Sequence, residues 1–151
     1  MFYRIIVPTD FSSCSEEAWR LAQRLAGMSG AELVLTHVLT EAPLFREGPF
    51  IMPKVREVFE AARSFADAAA EEWVAKARAE GLSARVALRS GVAYQEIVTL
   101  AVDERADLIV IGTHGRGGVS RVLLGSVADR VVRLAPCPVL TVREPDGKAT
   151  A

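Results

Sequence analysis

Apolar residues form short runs at five places along the chain, and each run predicts a β-strand. Four of the runs are rich in Val, Ile and Leu without strict alternation, which is typical of strands buried in a parallel sheet. The remaining run alternates as a strand near a sheet edge does. In chain order the predicted strands are Arg4–Pro8, Glu32–Val38, Ala84–Arg89, Asp107–Gly112 and Val139–Val142.

The stretches between these strands carry apolar residues at three- and four-residue steps, which predicts four helices. The first begins near Ser13, where Glu16 completes a capping-box pattern, and ends at Gly27 or Gly30. The third passes through Ile97–Val102.

The second predicted helix is long and covers Lys54–Glu80. We expect Phe65 and Trp73 on its apolar face to belong to the core. The segment before it, Thr40–Pro53, holds three prolines and a glycine and is interpreted as a surface loop. The apolar positions of the helix are Val55, Val58, Phe59, Ala62, Phe65, Ala66, Ala69, Trp73 and Ala77.

The fourth predicted helix covers Val127–Leu134, and Ser126 with Asp129 forms a capping pattern at its start. After the last strand, the segment Glu144–Ala151 is interpreted as a flexible tail. Residues 1–143 are therefore expected to form one domain, followed by the tail 144–151.

The regular alternation of strands and helices predicts a single-domain α/β fold, with a five-stranded parallel sheet and helices on both faces. Right-handed crossovers favour the strand order 3-2-1-4-5, a Rossmann-like arrangement. Ligands bind such sheets at the carboxyl ends of the strands, where the order reverses between strands 1 and 4. The segments at that point are Pro8-Thr9-Asp10 and Gly112–Gly115.

Composition and charge exclude several classes of protein. The chain has 151 residues, is 50% hydrophobic and carries a formal net charge of −1, so it has no global field that attracts nucleic acid. Its apolar runs are far shorter than the roughly 20 residues that cross a membrane. The N-terminal sequence lacks the pattern of a signal peptide. We expect a cytoplasmic protein that binds neither nucleic acid nor membrane.

The cysteines and histidines give little sign of reactive chemistry. Cys14 and Cys137 form no Cys-x-x-Cys pair, and two inert thiols are expected. His37 and His114 have no third ligand at metal-binding spacing, so we expect structural or hydrogen-bonding roles and no metal site.

A glycine-rich loop follows the fourth strand, with Gly112, Gly115, Gly125 and Ser126 in the spacing G-x2-G-x9-G-S. Glycine lets backbone approach a ligand closely. Exposed amides, together with the positive end of the next helix, form a cradle that suits phosphates.

The loop differs from two common nucleotide-binding motifs. A Walker loop contains a lysine, and this loop does not. Arg116 or Arg121 would therefore have to neutralise the terminal phosphate. The Gly-x-Gly-x-x-Gly fingerprint of dinucleotide sites is missing after the first strand. A mononucleotide is therefore the favoured ligand.

Separate motifs, matched in order from about Arg4 to Arg143, resemble the universal stress protein family. The glycine spacing is that of its ATP-binding branch. The motifs are Val7-Pro-Thr-Asp10, Thr36-His-Val38, Gly112-Thr-His-Gly-Arg…Leu-Leu-Gly-Ser-Val-Ala128 and Ala135-Pro-Cys-Pro-Val-Leu140.

The resemblance implies a cytoplasmic stress-response protein that binds ATP, with Mg²⁺ accompanying the phosphates. It also implies a homodimer that pairs through the last strand, Val139–Val142. An apolar edge strand needs some such cover.

The resemblance also assigns roles to matching positions at the base end of the nucleotide. Asp10 and Val38 would contact adenine, and Pro8 and Thr9 would shape its pocket. Gly112 would lie near the ribose.

At the phosphate end, Gly115, Gly125 and Ser126 would hold the phosphates. Further candidates inside the same motif are Thr113, His114, Arg116 and Val127.

Structural interpretations of the same residues remain open. The glycines could form only a tight turn, while Asp10 or Ser126 could only cap a helix. Two other functions also remain open beside a nucleotide-responsive regulator. One is a slow, Mg²⁺-dependent ATPase or nucleotidyl transferase with Asp10 as its nearest carboxylate, and the other is a dimerisation or chaperone-like module without nucleotide.

Overall fold

The computed structural model of the chain describes residues 1–40, 53–114 and 123–145. Strands and helices alternate along these residues as the sequence predicts, and every strand bound lies within one residue of its expected position. The elements are β1 (Arg4–Pro8), α1 (Ser13–Ser29), β2 (Glu32–Leu39), α2 (Pro53–Ala79), β3 (Ala84–Ser90), α3 (Ala93–Asp103), β4 (Leu108–Gly112), α4 (Ser126–Leu134) and β5 (Val139–Val142).

The sheet has five parallel strands in the order β3-β2-β1-β4-β5, which confirms the predicted topology. Helices α1 and α2 pack on one face of the sheet, and α3 and α4 pack on the other. The order reverses between β1 and β4, so their carboxyl ends open a crevice between the helices.

Two apolar clusters, one on each face of the sheet, form the core. Side chains alternate between the faces along each strand. In β2, for example, Leu33 and Leu35 pack under α1 and α2, whereas Val34 faces α3 and α4. All three are fully buried.

The start of α1 differs from the predicted capping box at Ser13. Ser12 is the N-cap, because its hydroxyl accepts a hydrogen bond from the Ser15 amide. Asp10 accepts from the Ser12 amide at 3.0 Å, so its carboxylate supports the turn before the helix and is not the cap itself. At the other end the chain leaves α1 through Gly30 in the left-handed conformation, with φ of 74°.

Phe65 on α2 is exposed, which corrects its assignment to the core. Its side chain is 69% exposed, whereas Ala66, Ala70 and Val74 are buried against the sheet. Phe65 lies one residue before this buried stripe, which places it about 100° around the helix from Ala66. Trp73 is partly buried, as expected, and packs beside Trp19 with ring centroids 6.5 Å apart.

Ion pairs occupy the amino ends of β1, β2 and β3, opposite the crevice. Glu32 accepts hydrogen bonds from Arg4 and Arg85 at 2.8 and 3.0 Å, and Glu104 pairs with the same two arginines. Partial burial opposes ionisation of Glu32, but the bonds from Arg85 and Arg4 outweigh it and lower the pKa of its carboxyl. This charged group is therefore structural and lies away from the crevice.

Asp107 anchors the amino end of β1, and its replacement should weaken the fold in a pH-dependent way. Its carboxylate accepts from the Arg4 and Tyr3 amides at 2.8 and 2.7 Å, and these bonds lower its pKa. The stabilisation is present above the unfolded pKa of about 3.9 and is lost as pH falls through the lower folded value. We expect Asp107→Ala to cost about 1–3 kcal/mol at pH 7 in urea denaturation.

The control for this prediction is Asp67→Ala, an exposed position on α2. It should change stability by less than about 0.5 kcal/mol. If Asp107→Ala lost the same free energy at pH 3 as at pH 7, the ionised carboxylate would not be the cause.

None of the helices in the described parts of the chain is long and apolar enough to cross a membrane. The predicted loop Thr40–Pro53 lies outside the described residues except at its two ends, as does the tail from residue 146 onward.

Candidate functional site

A cavity of about 560 Å³ opens at the carboxyl ends of β1, β2 and β4, between the amino ends of α3 and α4. Ten of the twelve predicted site residues line it, while Gly115 and Arg116 lie outside the described residues. The ten are Pro8, Thr9, Asp10, Val38, Gly112, Thr113, His114, Gly125, Ser126 and Val127.

Gly125 closes the end of the cavity nearest α4. Its amide donates to the Thr113 carbonyl at 2.7 Å, and a Cβ at this position would lie only 2.8 Å from that same oxygen. Its φ of −59° is open to any residue, so close approach of two backbones, not a left-handed conformation, requires glycine here. Gly112 is similarly crowded, because a Cβ there would lie 3.0 Å from the Cys14 sulfur.

The amino end of α4 faces the cavity without a side-chain cap. Gly125 is the N-cap, and Ser126 is the first helical residue, so the predicted Ser126–Asp129 capping pattern is wrong. The Asp129 amide instead bonds to the Gly125 carbonyl at 2.8 Å. The first amides and the positive end of the helix are thereby directed at a cavity wall formed by Gly125, Ser126 and Val127.

The end of β1 turns sharply at Phe11, which has a positive φ of 61°. This conformation costs a non-glycine residue of the order of 1 kcal/mol or more, and here surrounding contacts hold it. The Phe11 ring packs against His37 and Trp73, and its amide donates to the Thr9 hydroxyl at 2.9 Å. The turn places Asp10 at the mouth of the cavity.

His37 ties the ends of β1 and β2 together. Its Nδ1 lies 2.8 Å from the Thr9 carbonyl, and since a carbonyl only accepts, Nδ1 carries the proton and donates. The next residue, Val38, lines the cavity.

Thr113 connects the cavity with the edge of the sheet. Its hydroxyl lies 3.0 Å from Nδ1 of His114 and 3.9 Å from the Cys14 sulfur. Its amide donates to the Val142 carbonyl at the end of β5, and Cys14 donates to the same oxygen. Both cysteines are free thiols, and burial raises the pKa of Cys137.

The charge on the described cavity wall is small. Asp10 supplies a carboxylate, and no lysine or arginine lines the cavity among residues 1–40, 53–114 and 123–145. Within those ranges no three metal-ligating side chains converge either. Among the described residues, an anion would therefore be bound mainly by backbone amides.

Sequence reasoning missed the wall contributed by α3 and by the middle of β2. Ala93 and Ile97 stand at the start of α3, and Thr36 lies two residues before Val38 on the same face of β2. Strand alternation and the motif Thr36-His-Val38 were the available signals for Thr36. No motif marks the start of α3, because this helix contributes only apolar side chains to the cavity wall.

The sequence model that describes the universal stress protein family matches residues 1–143 of this chain. The chain belongs to the universal stress protein family. Universal stress protein MJ0531 of Methanocaldococcus jannaschii is 39% identical over 150 residues, covering 96% of this chain and 84% of the relative.

Solved universal stress protein structures share the fold. The structure of MJ0577 matches with a TM-score of 0.85 and 27% identity, covering 97% of this chain and 99% of the other. Two further structures, each 25% identical and covering 93% of this chain and 97% of the other, were solved as complexes. They are a universal stress protein with cAMP, at a TM-score of 0.67, and one from Archaeoglobus fulgidus with dAMP, at 0.63.

Proposed function

We propose that this universal stress protein binds an adenine nucleotide, ATP with Mg²⁺, in the cavity between α3 and α4. The observation that carries the proposal is the uncapped amino end of α4 held against the end of β4 by Gly125. Such an end provides amide donors and a positive dipole for phosphates. The complexes of two relatives with cAMP and dAMP support adenine as the base.

The proposed orientation places the base near β2 and the phosphates near α4. Asp10 and Val38 would contact adenine, with Pro8 and Thr9 shaping its pocket, and all four line the cavity. Gly112, between the two ends, is proposed to lie near the ribose.

At the phosphate end, Gly125 and Ser126 are proposed to hold the phosphates through their amides. Gly115 and Arg116 would join them from outside the described residues. Thr113, His114 and Val127 complete this wall.

The residues fit a Mg²⁺ ion only as a companion of the phosphates. Asp10, the carboxylate that lines the cavity, belongs to the proposed base end, and no protein cage for a cation exists among the described side chains. Mg²⁺ commonly binds in this way, with one or two carboxylates, waters and phosphate oxygens.

We further propose that the protein is a homodimer through β5 and that nucleotide occupancy modulates assembly or partner binding. Strand β5 pairs with β4 and occupies the edge of the sheet, and Leu140 on it is 37% exposed. An exposed apolar edge strand favours pairing with a second strand.

The first test is to purify the protein without added nucleotide, denature it and identify released compounds by chromatography at 260 nm with mass confirmation. We expect a stoichiometric adenine nucleotide. Added Mg²⁺ and ATP at about 100 times the dissociation constant should stabilise the nucleotide-free protein by about 2.7 kcal/mol, or roughly 5–10 °C in Tm.

Mg²⁺ with GTP serves as the control for the base and should give a much smaller shift. The absence of both released nucleotide and thermal shift would instead favour the nucleotide-free interaction module. Sedimentation with and without ATP measures whether occupancy changes assembly, and the ratio of ADP to ATP over time measures any hydrolysis.

A further inference from the structure

Thr36 carries a buried hydroxyl with no hydrogen-bond partner among the residues described. The residue is 1% exposed, and its Oγ1 has almost no accessible surface. Its carbonyl is already used, because it accepts from the Thr9 amide at 2.8 Å. A buried hydroxyl without a partner costs about 1–3 kcal/mol, so its presence in a ligand cavity points to a partner on the ligand.

The side chain of Thr36 faces the proposed nucleotide site. Along β2, Val34 and Val38 belong to the face covered by α3 and α4, and alternation places Thr36 on that face between them. It lines the cavity together with Ala93 and Ile97 of α3. Its hydroxyl is therefore a buried polar atom beside the apolar surface that Ala93 and Ile97 give this wall.

This wall is far from the proposed phosphate end. Strand β1 lies between β2 and β4, so Thr36 and the start of α4 are separated by two strand spacings, about 10 Å. A nucleotide that spans the cavity can place its phosphates at α4 and its base at β2. No cation lies beside Thr36 in the described cavity wall, which also favours the uncharged base at this position.

We propose that the Thr36 hydroxyl hydrogen-bonds the edge of the bound purine and contributes to recognition of the base. The inference rests on the proposed nucleotide function and adds a specificity-determining residue to that site. A hydroxyl both donates and accepts, so it can serve either the exocyclic amine or a ring nitrogen of adenine.

The deciding variant is Thr36→Val, which keeps the shape of the side chain and removes the hydroxyl. Titration calorimetry with AMP, ADP and ATP at fixed Mg²⁺ should show affinity reduced about fivefold for all three, since one neutral hydrogen bond at the base end is lost. Thr36→Ser keeps the hydroxyl and should stay within about twofold of wild type. Thr99→Val, the same replacement at an exposed site on α3, should have no effect.

A second measurement separates recognition from a structural role. Because the hydroxyl has no partner among the described groups, Thr36→Val should melt at or above the wild-type temperature without nucleotide. Purine riboside monophosphate lacks the exocyclic amine, and IMP carries an oxygen in its place. Wild type should bind AMP more tightly than either analogue, and this ratio of affinities should be smaller in Thr36→Val.

Three results would overturn the inference while leaving the proposed function intact. They are unchanged affinity in Thr36→Val, a loss that grows with the number of phosphates, and a marked fall in the melting temperature of the nucleotide-free variant. Failure of the wild-type protein to bind AMP, ADP or ATP would be a different outcome. It would overturn the nucleotide function and this assignment together.

Discussion

Gly125→Val is expected to reduce the affinity for ATP by roughly 10- to 150-fold, the loss that follows when one charge-assisted phosphate hydrogen bond is removed. The added Cβ would lie 2.8 Å from the Thr113 carbonyl, so the amino end of α4 must move away from β4. That movement also breaks the 2.7 Å bond from the Gly125 amide. Overpacking of this kind costs about 1–3 kcal/mol of stability as well.

Binding should be measured by calorimetry at a temperature where the variant is fully folded, so that the two effects are separate. Gly27→Ala is the matched control, because a Cβ there meets only Leu82 at 3.9 Å and lies inside α1. It should bind ATP normally and gain about 0.5–1 kcal/mol of stability. Wild-type affinity in Gly125→Val would remove the glycine loop from the site.

Ile97→Ala should destabilise the protein by about 2–5 kcal/mol and weaken nucleotide binding at the same time. Ile97 is 3% exposed and belongs both to the core under α3 and to the cavity wall. Its truncation leaves a void under the helix and removes apolar contact from the base end. Urea denaturation and ATP titration measure the two losses.

Val102→Ala on the same helix is the control for Ile97. Its side chain is 57% exposed, and the change should stay within about 0.5 kcal/mol of wild type. If Ile97→Ala lowered the free energy of unfolding by less than about 1 kcal/mol, the surrounding side chains would have to relax and fill the void.

The topology of the sheet could be predicted from the sequence because the order and apolar character of the strands are compatible with few arrangements. The central strands are apolar on both sides, and β-α-β crossovers have one hand. The helical pattern wrongly predicts a core position for Phe65 on α2, and the reason is physical. A helix that carries many alanines offers more apolar positions than its narrow contact with the sheet buries, and periodicity alone does not distinguish Ala66 from Phe65.

The cavity was predictable where its residues form motifs, and less so where its walls are ordinary core. The segments after β1 and β4 are polar or glycine-rich at positions where a buried strand has just ended, which predicts that they line a cavity. The wall from Ala93 and Ile97 resembles any buried helix face. Local sequence also misplaced both predicted caps, since Ser12 and Gly125 take the positions expected for Ser13 and Ser126.

The carbonyl of Val142 links the edge strand β5 to the cavity. It receives hydrogen bonds from the Thr113 amide and the Cys14 thiol, while the Thr113 side chain lines the cavity. A dimer built along β5 would therefore lie one peptide group from the bound nucleotide. Nucleotide contact and strand pairing would then meet at Thr113, so coupling between them would need no chain of intermediate residues.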